Sequence, residues 1–471
     1  MDLGLEPDLD LAIRGALVAT GQGTCRADIG IKDGRIAALA EEVRSKREID
    51  ARGLLALPGL IDPHVHLEDV GTGGVPTADD FASGTASAVS GGVTTILDFV
   101  SPDPGQDFLD AFRARRDQAA RGSRVDFGLH CCLPAGGGDP TGAIDALVRE
   151  GVTSFKAFTV YQGLALNEFE LFRAMRAVAT HGNRGALLML HAEEGAIVDG
   201  LVAEFLSRGD KAAIFHAYSR PAVCEEAAVA RALALRATVG AALYLVHLST
   251  GAAVSLAAAR HRTGEKVYLE TCPQYLMLSE DRLSGPGGER FVCSPPLRPR
   301  AENEVLWAAL ARGDIDCIGT DHCPFRAGDR LRRPSFADIP NGLGGIGFAL
   351  ELLYTYGVRT GRIDLDRLVG LTSGNAARVF GLWPWKGQIA PGADADVVLF
   401  DPDARHRIDA ADLPGGEDYT VYQGMESQGR VMYTISRGQV VFDRISGSGV
   451  IGDPGRGRFI ARPYEQWRSV A

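Results

Sequence analysis

Residues 54–66, LLALPGLIDPHVH, place two histidines directly after an apolar run. On a β-strand, residues i and i+2 point to the same face, so the segment predicts a strand that presents His64 and His66 side by side. Two imidazoles at one strand end can ligate a metal ion. An H-x-H pair alone is equally compatible with packed or solvent-facing histidines, so the rest of the chain has to decide.

Downstream of this segment, short β-rich runs alternate with longer helical stretches rich in Ala, Leu and Arg. VTTILDFV (93–100) and ALLMLHAE (186–193) are typical of the strands, and FLDAFRARRDQAARG (108–122) is typical of the helices. Repeated strand–helix units over about 330 residues predict a parallel barrel or a doubly wound sheet.

Further metal-competent side chains follow other apolar runs. His191 ends ALLMLHAE, His247 ends ALYLVHLS, and Asp321 follows DIDCIGT. In a (β/α)8 barrel the carboxyl ends of the strands converge on the active-site face. Five such residues on four strands therefore favour a barrel with a metal centre over packed histidines.

Lys156 lies in the apolar strand VTSFKAF. A buried lysine is costly to keep charged, so it should be neutral or have an anionic partner. A neutral amine is nucleophilic and could take up carbon dioxide as a carbamate, which would be an anionic ligand for two metals. Alone, this lysine would equally suit a salt bridge or a side chain that reaches solvent.

The two ends of the chain have a different residue pattern, without the long helical stretches of the middle. LAIRGALVA near the start, and DADVVLF, YTVYQG and GRVMYTISRGQVVFD near the end, predict short strands. We expect both ends to pair in one small β-sandwich, into which the barrel is inserted. The predicted division is sandwich 1–57, barrel 58–386, sandwich 387–444 and a tail 445–471. The Gly- and Arg-rich tail could contact a neighbouring subunit or pack on its own chain.

Composition excludes several classes of protein. The net charge of −11 argues against binding to nucleic acid or to an anionic membrane surface. No run of about 18 apolar residues predicts a membrane span, and the acidic N-terminus does not resemble a secretory signal. The eight scattered cysteines lack a C-x-x-C pair and indicate reduced thiols in a cytoplasmic protein.

The ordered motifs PHVH, FKAFTVY, HAEEG, LVHLS, ETCPQY, CSPPLR, GTDHCPF and IPNG resemble the amidohydrolase superfamily and, more closely, its dihydropyrimidinase and hydantoinase family. The resemblance covers nearly the whole chain. It implies that His64, His66 and Asp321 bind one metal, that His191 and His247 bind a second, and that Lys156, as a carboxylysine, bridges them. Two divalent ions are expected, with zinc favoured and manganese or cobalt possible.

The same resemblance assigns residues to the substrate. Tyr161 would hydrogen-bond the carbonyl oxygen that becomes an oxyanion, although a lone tyrosine at a loop start is often a packing residue. Ser294 and Asn341 would hold the ring, largely through backbone groups. Asp321 would accept a proton from a metal-bridging hydroxide and pass it to the leaving nitrogen.

The predicted reaction is opening of the ring C–N amide bond of dihydropyrimidines or 5-substituted hydantoins to N-carbamoyl amino acids. Glu68 stands where dihydroorotases carry a carboxylate-binding arginine, and allantoinases usually lack the tyrosine. An allantoinase-like or other cyclic imide or ureide hydrolase is the alternative, and a non-catalytic assembly protein is disfavoured because all six ligands are present. The loop after His66 is unusually polar, and Ala165 and Leu166 replace a common aromatic. Relatives are commonly tetramers, so a homo-oligomer is expected.

The remaining histidines are interpreted as residues without a metal-binding role. His322 follows Asp321 on the opposite face of a regular strand, and His130 ends a different strand. Four more lie in helical or loop contexts and are interpreted as ordinary polar residues: His181, His216, His261 and His406.

Overall fold

The computed structural model describes residues 9–103 and 105–463. Its strands are β1 Leu11–Ala19, β2 Thr24–Lys32, β3 Arg35–Ala40, β4 Glu48–Asp50, β5 Leu55–Pro58, β6 Leu60–Val65, β7 Val70–Gly71, β8 Val75–Pro76, β9 Val93–Val100, β10 Asp126–Cys132, β11 Ser154–Phe158, β12 Leu187–His191, β13 Ala242–Leu245, β14 Val267–Thr271, β15 Cys317–Ile318, β16 Val397–Arg407, β17 Glu426–Ser436, β18 Gln439–Asp443 and β19 Gly449–Val450.

The α-helices lie mainly between the parallel strands. They are α1 Phe81–Ser90, α2 Phe108–Gly122, α3 Thr141–Arg149, α4 Glu168–Ala179, α5 Gly195–Ser207, α6 Ile214–Tyr218, α7 Ala222–Val239, α8 Gly251–His261, α9 Pro273–Met277, α10 Arg300–Arg312, α11 Ala327–Arg330, α12 Ala349–Leu353, α13 Leu365–Val369 and α14 Asn375–Val379. None of the helices in the described ranges is long and apolar enough to cross a membrane.

Eight parallel strands form the barrel, in the order β15-β14-β13-β12-β11-β10-β9-β6. A parallel bridge between Val65, at the end of β6, and His322, in the segment after β15, joins the two edges of the sheet, so the sheet closes on itself. Every residue of β9, the predicted VTTILDFV strand, is buried. Burial on both faces is expected where helices cover a parallel sheet, and it explains the continuous apolar runs in the sequence. The predicted (β/α)8 barrel is confirmed.

Helix α2 shows how local chemistry sets the element boundaries. The side chain of Asp107 accepts hydrogen bonds from the backbone amides of Leu109 and Asp110, which satisfies two of the free N–H groups at the helix start. The helix ends at Gly122, and its bounds coincide with the predicted segment FLDAFRARRDQAARG.

Both ends of the chain join one nine-stranded sheet, through antiparallel pairing of β5 with β16. Val397 pairs with Pro58, and only Gly59 separates β5 from the barrel strand β6. The sheet thus leads directly into the strand that carries His64. A core of Ile, Val, Leu and Ala side chains lies against this sheet, separate from the barrel core.

Two strand predictions need correction. YTVYQG (419–424) forms a turn rather than a strand, and Gly424 there has a φ of 78°, in the left-handed region. The last barrel strand, β15, covers only Cys317–Ile318, so Asp321 lies in the loop beyond it. Its position at the carboxyl end of the barrel is unchanged by this.

The described part of the tail packs on its own chain: β19 extends the nine-stranded sheet, and residues 455–462 lie at the amino ends of the barrel strands. Backbone amides of Gly455 and Gly457 both donate to the carbonyl of Ser123, at 3.0 and 2.9 Å. A side chain at Gly457 would collide with the carbonyl oxygen of Val125, which explains a glycine there. The predicted subunit contact also concerns residues 464–471, which lie outside the described residues.

Candidate active site

A cavity of about 720 Å³ opens at the carboxyl ends of the barrel strands. All nine residues predicted to bind metal or substrate line it: His64, His66, Lys156, Tyr161, His191, His247, Ser294, Asp321 and Asn341. They come from separate strand ends and loops, and closure of the barrel brings them together.

The predicted ligands of the first metal converge on one point. Asp321 Oδ1 lies 3.3 Å from His64 Nε2 and 3.3 Å from His66 Nε2. The ligand atoms of these three side chains are close enough together to hold one ion. The i and i+2 spacing in PHVH therefore places the His64 and His66 side chains on the same side of the strand end, as predicted.

The second pair of histidines lies beside the first group. The rings of His191 and His247 meet edge to face with centroids 4.6 Å apart, and His247 lies 5.4 Å from His64. Nε2 of His64 and Nδ1 of His247 are buried without a protein hydrogen-bond partner in the described part of the chain. Buried imidazole nitrogens of this kind suit metal coordination, so this donor set fits a binuclear centre.

Burial keeps most of these histidines neutral, which is the form that binds metal. Desolvation, reinforced by the nearby Lys156 charge, holds the pKa of His64 well below its usual range. Burial likewise lowers the pKa of His191 and of His247. His66 differs, because hydrogen bonds with Asp321 and Asp69 outweigh its desolvation and raise its pKa to about 9.

Lys156 lies fully buried beneath these ligands. Its ammonium nitrogen is 5.2 Å from the ring centres of both Phe99 and Phe158, and it makes no ion pair among the described residues. Burial lowers the pKa of this lysine, although the charges of Asp321 and Glu270 oppose the shift. The amine is therefore held in a site that disfavours its charged form, as its sequence context predicted.

Carboxylates outside the predicted set orient the histidines. Glu270 Oε1 accepts a hydrogen bond from His64 Nδ1 at 2.7 Å, and Asp69 Oδ2 lies 3.1 Å from His66 Nδ1. Both contacts leave Nε2 facing the cavity, which is the usual arrangement of carboxylate–histidine–metal sites. Glu193 holds Nε2 of His191 at 2.7 Å and so turns Nδ1 of that ring inward.

Sequence reasoning assigned no role to these carboxylates. Glu193 and Glu270 stand inside the quoted motifs HAEEG and ETCPQY, and that position was the one available signal. Arg220 Nη1 in turn donates to Glu193 Oε2 at 2.6 Å. Its guanidinium carbon lies 5.4 Å from the ring centre of Tyr161.

Tyr161 projects into the cavity just beyond β11. Burial raises the pKa of its phenol to about 12, so the group keeps its proton at neutral pH and can donate a hydrogen bond. Its hydroxyl contacts Ser294, and its ring lies 5.2 Å from that of His191. This position in the cavity does not favour the alternative that Tyr161 is only a packing residue.

Three of the predicted site residues have a left-handed backbone conformation. Tyr161, His247 and Asp321 have φ values of 78°, 40° and 51°, although none is a glycine. Such conformations cost about 1–3 kcal/mol each and persist where the surrounding structure enforces them, typically at functional sites.

Some residues that line the cavity mouth differ from those considered in the sequence analysis. Glu68 is exposed and does not line the cavity, whereas its neighbour Asp69 does. Leu164 lines the mouth, in place of the Ala165 and Leu166 considered from the sequence. Several apolar side chains line the cavity: Val70, Leu164, Val198, Val202, Phe336 and Ala337.

His216 was wrongly interpreted as an ordinary polar residue. It is buried, lines the cavity, and donates from Nε2 to the carbonyl of Cys293 at 2.9 Å, with Ser294 Oγ at 3.2 Å. Burial lowers its pKa to about 3. His322 lies behind the site, where Nε2 is 2.9 Å from Asp79 and Nδ1 accepts from the Gly345 amide at 3.2 Å.

A closed parallel barrel with clustered imidazole and carboxylate side chains at its carboxyl ends defines the class of metal-dependent barrel hydrolases. The chain belongs to the amidohydrolase family, whose model matches residues 55–441, so the resemblance inferred from the motifs is confirmed. The family implies a binuclear metal centre, and the converging side chains are its candidate ligands.

Individual relatives are similar over almost the full chain. A D-hydantoinase of Streptomyces coelicolor is 40% identical, with 91% of this chain and 93% of the relative covered. A D-phenylhydantoinase of Escherichia coli is 37% identical, with 96% and 97% covered. The solved dihydropyrimidinase from Brevibacillus agri superimposes with a TM-score of 0.91 at 36% identity, covering 96% of this chain and 98% of the other.

Proposed function

We propose that the chain opens the ring C–N amide bond of 5-substituted hydantoins and dihydropyrimidines, releasing N-carbamoyl amino acids. It is a hydrolase that acts on cyclic amides, as its family and its relatives indicate. One observation carries the proposal: the six candidate metal ligands, a protonated phenol and two ring-binding loops line a single cavity.

Two divalent ions, with zinc as the first choice, would be held by His64, His66 and Asp321 and by His191 and His247. We propose that Lys156, as a carbamate, would supply a further anionic ligand to these metals, because it is buried next to the other ligands and makes no ion pair among the described residues. When bound, the metals would polarise the amide carbonyl and lower the pKa of the attacking water.

The chain's own residues supply the remaining steps. The Tyr161 phenol donates a hydrogen bond to the amide oxygen as negative charge develops there. Asp321 takes a proton from the attacking water and returns it to the leaving ring nitrogen. Contact with His64 and His66 outweighs burial and lowers the pKa of Asp321 to about 2, so its side chain is an unprotonated carboxylate at neutral pH, the form that a proton acceptor needs.

The mouth of the cavity favours a neutral, apolar 5-substituent. Val70 and Leu164 offer exposed apolar surface there, while Asp69 and Asp199 line the same cavity and would repel an anionic group. We therefore expect poor turnover of dihydroorotate. The names of the two curated relatives support a preference for the D-enantiomer.

We also propose a homotetramer in the cytoplasm, with the chain divided into the sandwich, barrel and tail predicted from the sequence. The eight free cysteines suit a reducing compartment. Continuity of the nine-stranded sheet through β5 and β16 supports the division.

The test is ring-opening turnover of zinc-loaded protein on dihydrouracil, hydantoin, a 5-aryl hydantoin, allantoin and dihydroorotate. We expect turnover of the first three only. Preferential turnover of allantoin would replace the proposal by an allantoinase-like activity. If the protein binds two metals but turns over none of these compounds, the proposed substrate class is rejected, although the assignment to the hydrolase family would stand.

A paired variant tests the role of Asp321. Asp321→Asn keeps the shape of the side chain but removes the proton acceptor, so turnover should fall to background while the fold is retained. Asp117→Asn, on the exposed surface of α2, is the control and should match the wild type. Full activity of Asp321→Asn would reject the assigned role.

A further inference from the structure

One fully buried arginine lies behind the cavity, at the end of α11. Arg330 has no solvent exposure, and its guanidinium donates to backbone carbonyl oxygens of two separate loops. Nη2 bonds the carbonyls of Val292 and of Pro340, the latter at 3.0 Å. Nη1 bonds the carbonyl of Gly342 at 2.7 Å.

These are the two loops that carry the proposed ring-binding residues. Val292 precedes Ser294 by two positions, and Pro340 and Gly342 flank Asn341 on either side. The loops also touch directly, because the Gly342 amide donates to the Val292 carbonyl at 3.1 Å. Arg330 itself does not line the cavity, so it can act only through these loops.

The same guanidinium makes two further contacts. Nη1 also bonds the carbonyl of Arg290 at 3.1 Å and the hydroxyl of Tyr419 at 2.9 Å. Tyr419 belongs to the turn 419–424 that the sequence predicted as a strand. One rigid group therefore connects the loop before Ser294, the loop around Asn341 and this turn.

We propose that Arg330 is a positioning residue that sets the separation of the two ring-binding loops, and hence the geometry in which a cyclic amide is held. This inference rests on the proposed function. All five contacts are with neutral oxygens, and none is with a carboxylate. The buried guanidinium therefore serves as a hydrogen-bond donor to several backbone carbonyls. A planar guanidinium holds its two terminal nitrogens in a fixed fork that reaches both loops, whereas an ammonium is a point donor that cannot span both loops.

The experiment compares Arg330→Lys and Arg330→Met with the wild type. Arg330→Lys keeps the charge and most of the volume, which guards against simple misfolding. The control is Arg462→Lys, because Arg462 is also buried and bonds the backbone carbonyl of Leu129, in the middle of β10 and outside both ring-binding loops. Metal content and secondary structure are measured for every variant.

For both Arg330 variants we expect KM for a cyclic amide to rise at least about tenfold, with a smaller change in kcat and two metals still bound. The loops hold the ring and do not react with it, so binding should suffer most. Backbone amides of 291–297 and 339–344 should exchange hydrogen at least about tenfold faster, while those of β12 keep their wild-type rates.

An unchanged KM and unchanged exchange in folded Arg330 variants would overturn the inference. Equal acceleration of exchange in both loops and in β12 would also overturn it, since Arg330 would then only stabilise the fold. The exchange measurement needs no substrate. If the wild type opened no cyclic amide, the proposed function would fail, and loop exchange would still decide whether Arg330 holds the loops together.

Discussion

Removal of the Tyr161 hydroxyl tests the chemistry of the site most directly. Tyr161→Phe deletes one hydrogen-bond donor and retains the ring that lies 5.2 Å from His191. The metal ligands and the two substrate loops stay in place. The change therefore isolates stabilisation of charge on the amide oxygen.

The expected loss can be derived from the state of the phenol. Its pKa of about 12 keeps it protonated at every pH at which the enzyme would be assayed, so the wild type always has this donor. Loss of one preoriented oxyanion donor costs about 10²–10³ in kcat, or about 2.7–4 kcal/mol. Loss of its ground-state contact with Ser294 should lower the free energy of unfolding by only about 0.5–1.5 kcal/mol.

The assay is steady-state ring opening of a 5-substituted hydantoin between pH 6 and 9, with metal content measured in parallel. Tyr356→Phe is the control, because its hydroxyl bonds the carbonyl of Glu426, away from the cavity. We expect the ratio of wild-type to Tyr161→Phe kcat to be constant across this pH range.

Two results would refute the reasoning. A loss of less than about tenfold with both metals bound would mean that the phenol does not face the developing charge. A ratio that collapses at high pH would mean that the phenol ionises in the assayed range, contrary to its burial.

Three further predictions follow from the same geometry. Lys156→Ala should lose bound metal and regain part of it with a short-chain carboxylic acid, measured by elemental analysis; full metal content without the acid would exclude a bridging carbamate. Glu270→Ala removes the carboxyl group that accepts the hydrogen bond from His64 Nδ1, so metal affinity should fall about 10–100-fold in a chelator competition, and an unchanged affinity would show that this hydrogen bond does not orient His64. Burial lowers the pKa of His216 to about 3 from about 6.5, so between these values the unfolded chain binds a proton that the folded chain does not. The free energy of unfolding should therefore fall as pH drops below about 6.5, by up to about 2 kcal/mol at pH 5, and urea unfolding of His216→Gln should lack that part of the loss.

Much of the candidate site was accessible from sequence because its signals are local. The i and i+2 spacing of His64 and His66 sets their common direction, and the apolar runs before His191 and His247 mark strand ends. These patterns need no knowledge of which strands are neighbours. Asp321 was found in the same way, although its strand proved much shorter than the sequence suggested.

The errors concern segments whose structure is set by distant contacts. YTVYQG has the alternation of a strand, yet it forms a turn whose Tyr419 hydroxyl contacts Arg330. His216 stands in a short helix with no distinguishing motif, and only the approach of the 293–294 loop gives it a place at the cavity. Local periodicity carries no information about such partners.

The sequence by itself determined the alternation of strands and helices, because their periods are properties of neighbouring residues, and its ordered motifs indicated the family and, through it, the barrel and the candidate metal ligands. Only the tertiary structure decided which carboxylates hold the histidines, which side chains form the mouth, and that Arg330 joins the two substrate loops. Glu270 and His64 are 206 residues apart in the chain and 2.7 Å apart in space. Contacts of this kind arise when the barrel closes, and no local pattern specifies them.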